Sequence, residues 1–96
     1  MHAVRWRVRA SADAEDAAYW TEQRKPGHGV EFIGELDALI SRIAQRPMAF
    51  PEVLPRVRRA GMRRFPYGVY FVVRDADVDV LAVYHAQRRP RRFRAR

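Results

Sequence analysis

The chain has no cysteine, a single lysine and only five scattered glycines, and these shortages exclude several kinds of function. Without cysteine there is no disulfide framework, thiolate nucleophile, cysteine-ligated zinc or iron–sulfur cluster. The one Gly-x-Gly, at Gly27 and Gly29, falls between two helix-like segments rather than after a strand, so it makes no nucleotide-binding loop. His2 and His28 stand alone without ligand spacing, so neither a metal site nor a cofactor is expected. Apolar runs such as Val69 to Val73 are far too short to span a bilayer. The opening residues alternate arginine with hydrophobics, unlike a secretory leader, and a cytoplasmic protein is the expectation.

What is present is a core-forming composition and a lopsided charge. Ninety-six residues, 48% apolar, suffice for one small domain over 1–96. Nineteen basic against eleven acidic side chains give +8. Residues 1–54 sum to −1 and residues 55–96 to +9, so all the excess lies in the later part. Eighteen of the cations are arginine, which suits bidentate contacts to phosphate or carboxylate. A GC-rich genome produces the same bias, and both readings stand. An anionic partner is implied, either nucleic acid or an acidic protein segment.

Val4, Trp6 and Val8 alternate with Arg5, Arg7 and Arg9, the period-two signature of a strand with one buried and one cationic face. Ser11 is the expected N-cap of a first helix, with Asp13, Glu15 and Asp16 in its first turn, ending before Lys25-Pro26-Gly27. A second helix is predicted from Gly29 to Gln45, with Phe32, Leu36, Leu39, Ile40 and Ile43 on one stripe, forming a hairpin with the first. Pro47, Pro51 and Pro55 mark an extended surface connection. Three strands follow. Val57 to Phe65 carries an expected bulge at Ala60-Gly61, and the turn Pro66-Tyr67-Gly68 leads to Val69–Val73. After a loop at Asp75–Asp77 comes Val78–Tyr84. The last twelve residues, 85–96, form a basic tail. The predicted class is α+β in the order β-α-α-β-β-β, an antiparallel meander of the last three strands with an N-terminal strand and the helical hairpin on one face. Trp6 and Trp20 are expected in the core. Tyr67, Tyr70, Phe71 and Tyr84 are expected to pack within the sheet rather than stack bases, with Tyr67 the most exposed.

Three stretches resemble the RelE/ParE superfamily, toxins of bacterial type II toxin–antitoxin systems. One is the opening strand followed by the alanine-rich helix containing Tyr19-Trp20, and another is the segment from Ile40 to Pro51. The most specific runs from Val57-Arg58-Arg59-Ala60 through Arg63-Arg64-Phe65-Pro66-Tyr67-Gly68-Val69-Tyr70-Phe71. It continues to Val80-Leu81-Ala82-Val83-Tyr84-His85 and Arg88-Arg89-Pro90. This last stretch is most similar to the ParE-type branch, often named plasmid stabilisation proteins. The resemblance implies a toxin that poisons DNA gyrase or a related topoisomerase and is neutralised by a cognate antitoxin. That antitoxin would bring an acidic or amphipathic C-terminal segment and form a hetero-oligomer with the toxin. The basic surface, an apolar groove on the helical hairpin and open sheet edges would each suit such a partner.

The superfamily also holds ribosome-dependent mRNA endonucleases, and a non-toxic binding module on the same fold is a further alternative. Cutting by 2′-OH attack needs a base, an acid and cations on the transition state. The endonuclease branch usually places an arginine after the aromatic that opens the third strand, where this chain has Gly68. Arg64 is the nearest substitute. His85, beside Tyr84, is the candidate acid and Glu52 the candidate base; the same positions equally suit a strand-end cap and a solvated loop carboxylate. The residues expected to bind target, antitoxin or nucleic acid are Arg58, Arg59, Arg63, Arg64, Tyr67, Arg88, Arg89, Arg91 and Arg92.

Overall fold

The computed structural model describes residues 1–88. Strand β1 (Ala3–Trp6) leads into helix α1 (Val8–Arg24) and helix α2 (His28–Gln45). A 3-10 turn (Pro47–Ala49) precedes β2 (Glu52–Leu54), β3 (Val57–Gly61), β4 (Tyr67–Arg74) and β5 (Asp77–His85). The sheet order is β1-β5-β4-β3-β2, antiparallel except where β1 runs parallel to β5. The α+β class, the helical hairpin and the meander are as the sequence predicts. Strand β2 is an addition: Pro51 and Pro55, which suggest a plain connection, bracket three residues that pair at the sheet edge. An edge position tolerates flanking prolines because only one side of the strand is hydrogen-bonded.

Helix α1 starts earlier than expected. Val8 is already helical and 88% exposed, and Ser11 donates its N–H to the Arg7 carbonyl instead of capping the helix. Arg7 still donates to Val80 O at 3.1 Å, so the chain leaves the sheet and turns helical within one residue. The period-two pattern therefore runs past the true end of the strand. Ala10, Ala14, Ala17 and Thr21 form the buried stripe of α1, small enough for close approach to the sheet and α2. Trp20 lies off that stripe and is 61% exposed, and Trp6 on the edge strand is 36% exposed. Neither is the core residue that its type suggests.

Helix α2 buries Phe32, Leu36, Leu39 and Ile43. They meet Ala60, Val69, Phe71, Val78, Val80 and Val83 on the near face of the sheet. Each such large side chain contributes roughly 1.5–3 kcal/mol by leaving water. Across the hairpin turn, the Glu22 carboxylate accepts the N–H groups of Gly27 and Gly29, both at 3.0 Å, and so caps the start of α2. The far face of the sheet carries Val57, Tyr70, Val72, Leu81, Ala82 and Tyr84.

The expected bulge at Ala60-Gly61 is absent, since β3 pairs regularly with β4 from Arg58 to Gly61. Register shifts instead at the β2 edge, between Glu52 and Leu54, and on β5. On β5 it passes from Tyr70↔Ala82 to Phe71↔Val80, leaving Leu81 as the extra residue. Leu81 and Ala82 both pack on the far face, while Val80 and Val83 face the helices. The bulge thereby carries His85 to the helix side, opposite Tyr67. Beyond the end of β1, Asp13 of α1 accepts the otherwise open Val83 N–H at 3.1 Å. Burial raises the Asp13 carboxyl above its ordinary value, opposed by this hydrogen bond and by the charges of Arg88 and Arg9.

Candidate functional site

At the end of the sheet where β4 begins and β5 ends, the helical hairpin stands clear and leaves a cleft of about 660 Å³. Trp20, Thr21 and Arg24 of α1 form one wall and Lys25 the rim, and His28 opens α2. Arg64, Phe65 and Pro66 come from the β3–β4 loop, and Tyr67 and His85 form the floor. The basic side chains here arrive from different parts of the chain, which is why no local motif announces them.

The cleft is built on an aromatic foundation. Phe32 lies edge-on to Phe65 (5.4 Å) and Tyr67 (5.3 Å), and His28 lies edge-on to Phe65 at 5.7 Å. Tyr67 in turn meets the His85 ring at 5.3 Å. The loop is held by Glu35, whose carboxylate accepts the backbone N–H of Arg63 and of Arg64. Glu31 accepts the Arg64 guanidinium, and the Pro66 carbonyl accepts Ala86 N–H at 2.7 Å. Gln87 donates its backbone N–H to Nδ1 of His85 at 3.1 Å, which places the neutral ring's proton on Nε2. Burial raises the Tyr67 hydroxyl above its ordinary value while the Arg24 charge pulls it down, so it is a neutral donor at physiological pH.

Arg64, Tyr67 and His85 thus come together as candidate site residues, with His85 also bound to backbone as a strand-end residue would be. Glu52 does not join them. It sits on β2 with its carboxylate 3.6 Å from Arg58, whose Nη1 donates to the Phe50 carbonyl at 2.6 Å. Arg59 and Arg88 lie on the far face, Arg59 over the Tyr70 ring at 5.8 Å and Arg88 over Tyr84 at 4.0 Å. Arg63 is exposed beside the cleft, and Arg89, Arg91 and Arg92 lie outside the described residues. Tyr70, Phe71 and Tyr84 are buried in the sheet, leaving Tyr67 the most exposed of the four aromatics. Sequence reasoning missed Trp20, Arg24, Lys25 and His28. The one available signal was the basic pair Arg24-Lys25 directly before the Pro26-Gly27 turn, which puts two cations at the hairpin tip.

Gly68 has a specific spatial role. A Cβ there would lie 2.6 Å from the guanidinium of Arg59, which crosses from the neighbouring strand over the glycine backbone. An arginine at position 68 would have to displace a cation already present. Among the described residues, no three side chains of histidine, aspartate or glutamate converge as a metal site. No helix among them is long and apolar enough to cross a membrane.

Comparison with known proteins places this geometry in a family. The family described as the ParE toxin of type II toxin-antitoxin system, parDE, matches residues 4–90. Two relatives named Toxin ParE2, from Mycobacterium tuberculosis strains CDC 1551 / Oshkosh and ATCC 25618 / H37Rv, are each 36% identical over 55 residues. That alignment covers 57% of this chain and 52% of each relative, so the match spans about half the length of the curated relatives. Among solved structures, the chromosomal ParDE TA system from P. aeruginosa superposes with a TM-score of 0.78. It is 18% identical over 88% of this chain and 96% of that one, a likeness of fold.

Proposed function

Since the chain belongs to the family of ParE toxins of type II toxin-antitoxin systems, we propose that it is a protein ligand that traps DNA gyrase or a related topoisomerase on cleaved DNA. A cognate antitoxin holds it inactive by folding an acidic or amphipathic segment onto its basic surface, giving a toxin–antitoxin hetero-oligomer. The observation that carries the choice over RNA cleavage is the dispersal of the would-be catalytic groups. Glu52 pairs with Arg58 at the β2–β3 edge, away from the cleft that holds His85. An acid and a base that do not flank a common phosphate make no cleavage site.

The test is induction without antitoxin in a bacterial host, comparing the wild type with a Glu52→Ala/His85→Ala double variant. The gyrase reading expects growth arrest from both, with transcripts intact. Loss of toxicity in a folded double variant, together with mRNA cleavage by the wild type, would establish the endonuclease instead. Normal growth with either chain would mean a binding module without toxicity.

A further inference from the structure

We propose that the cleft between the helical hairpin and the sheet end is a nucleotide-binding site, taking a base against Trp20 and Tyr67 and phosphate on Arg24, Lys25 and Arg64. The inference goes beyond the gyrase reading and stands whichever cellular target the protein has.

The charged side chains that line the cleft are Arg24, Lys25 and Arg64, and no carboxylate lines it among the described residues. Glu31 is spent on one edge of the Arg64 guanidinium, which keeps 60% of its side chain exposed. Lining cations without lining anions select an anionic ligand. The cleft volume of about 660 Å³ lies in the range of small-molecule sites, and it exceeds what a bare phosphate would fill.

The aromatic wall narrows the ligand further. Trp20 is 61% exposed, an unusual position for an indole, and its ring borders the cleft. Planar bases stack on such rings with a gain that an acidic peptide, which offers charge without a flat face, does not obtain. Tyr67 adds a neutral hydroxyl and His85 an Nε2–H, two donors for a base edge or sugar. One side of the site is also preformed. Glu35 fixes the Arg63-Arg64 backbone, and Phe32 supports both Phe65 and Tyr67. On that side of the cleft binding orders few groups, while the exposed Trp20, Arg24 and Lys25 are ordered by the ligand.

The nucleotide unit could come from a free nucleotide or from a single strand, and one titration separates the two. The chain has two tryptophans, so Trp6→Phe leaves Trp20 as the only indole reporter. Its fluorescence is followed at low salt against ATP, single-stranded oligothymidylate of about eight nucleotides, and an octaglutamate peptide. Saturable quenching by ATP at concentrations similar to the oligonucleotide's assigns a free nucleotide. Quenching by the oligonucleotide alone, with a log–log salt slope of about −2 for three phosphate contacts, assigns a strand. Arg24→Glu should weaken either by about tenfold or more, and Arg5→Gln, remote from the cleft, should not. Circular dichroism confirms that each variant is folded, and a Trp20→Phe variant that retains Trp6 should lose the signal. No saturable quenching, equal binding by Arg24→Glu, or equal quenching by octaglutamate would overturn the proposal.

Discussion

At the scale of single residues, Gly68 and Arg59 make the sharpest case. The glycine leaves room for a guanidinium that lies 2.6 Å from where a Cβ would be. Because the obstructing atoms are the end of a flexible side chain, Gly68→Ala should cost no more than about 1 kcal/mol, as Arg59 swings away. In an Arg59→Ala background the same change should be neutral or stabilising, since glycine within a strand costs roughly 0.5–1 kcal/mol relative to alanine. Chemical denaturation of the four-member cycle measures this coupling, and strict additivity would show that the two residues do not interact. Asp13 gives a second prediction. Its folded carboxyl holds a proton more tightly than the unfolded one, so ionisation works against folding above the folded value and ceases to do so below the ordinary 3.8. Asp13→Asn keeps an acceptor for Val83 N–H without the charge. It should melt slightly higher than wild type at neutral pH, with the difference closing as pH falls below 3.8. A difference that persists unchanged at low pH would contradict the assignment.

At the scale of elements, the β3–β4 loop depends on one helix side chain. Glu35 takes two backbone N–H groups, so Glu35→Ala should destabilise by about 1–3 kcal/mol and loosen the Arg64 side of the cleft. Urea unfolding together with amide exchange at Arg63 and Arg64 checks it; unchanged exchange there would refute the clamp. The same scale shows what can be read in advance. The stripe of α2 from Phe32 to Ile43 is legible because every member sits on one face at helical spacing. The start of α1 is not, because Val8 continues the alternation of β1 although tertiary pairing has ended at Arg7. The bulge at Leu81 is hidden for another reason. Val80 to Val83 are all apolar, so a pattern of polarity cannot show which of them faces which side, and the position of His85 follows from that. Trp20 eludes a reading by residue type because its position off the alanine stripe decides its exposure.

At the scale of the whole molecule, the charge imbalance is legible in the sequence but its destination is not. Of the arginines in the basic later part, Arg64 lines the cleft, Arg59 and Arg88 lie on the far sheet face and Arg58 at the β2–β3 edge. Only the folded chain brings Arg24, Lys25 and Arg64 together, from the hairpin tip and a loop far along the sequence. Family membership supplies the functional frame, and the separation of Glu52 from His85 favours a protein ligand over a nuclease within it. The most direct test of that claim is to incubate the purified protein with DNA gyrase, ATP and supercoiled plasmid, then stop the reaction with detergent and protease. Linear DNA that accumulates with added protein is the expected result. Unbroken plasmid, alongside cuts in mRNA when the same protein is added to translating ribosomes, would contradict the account.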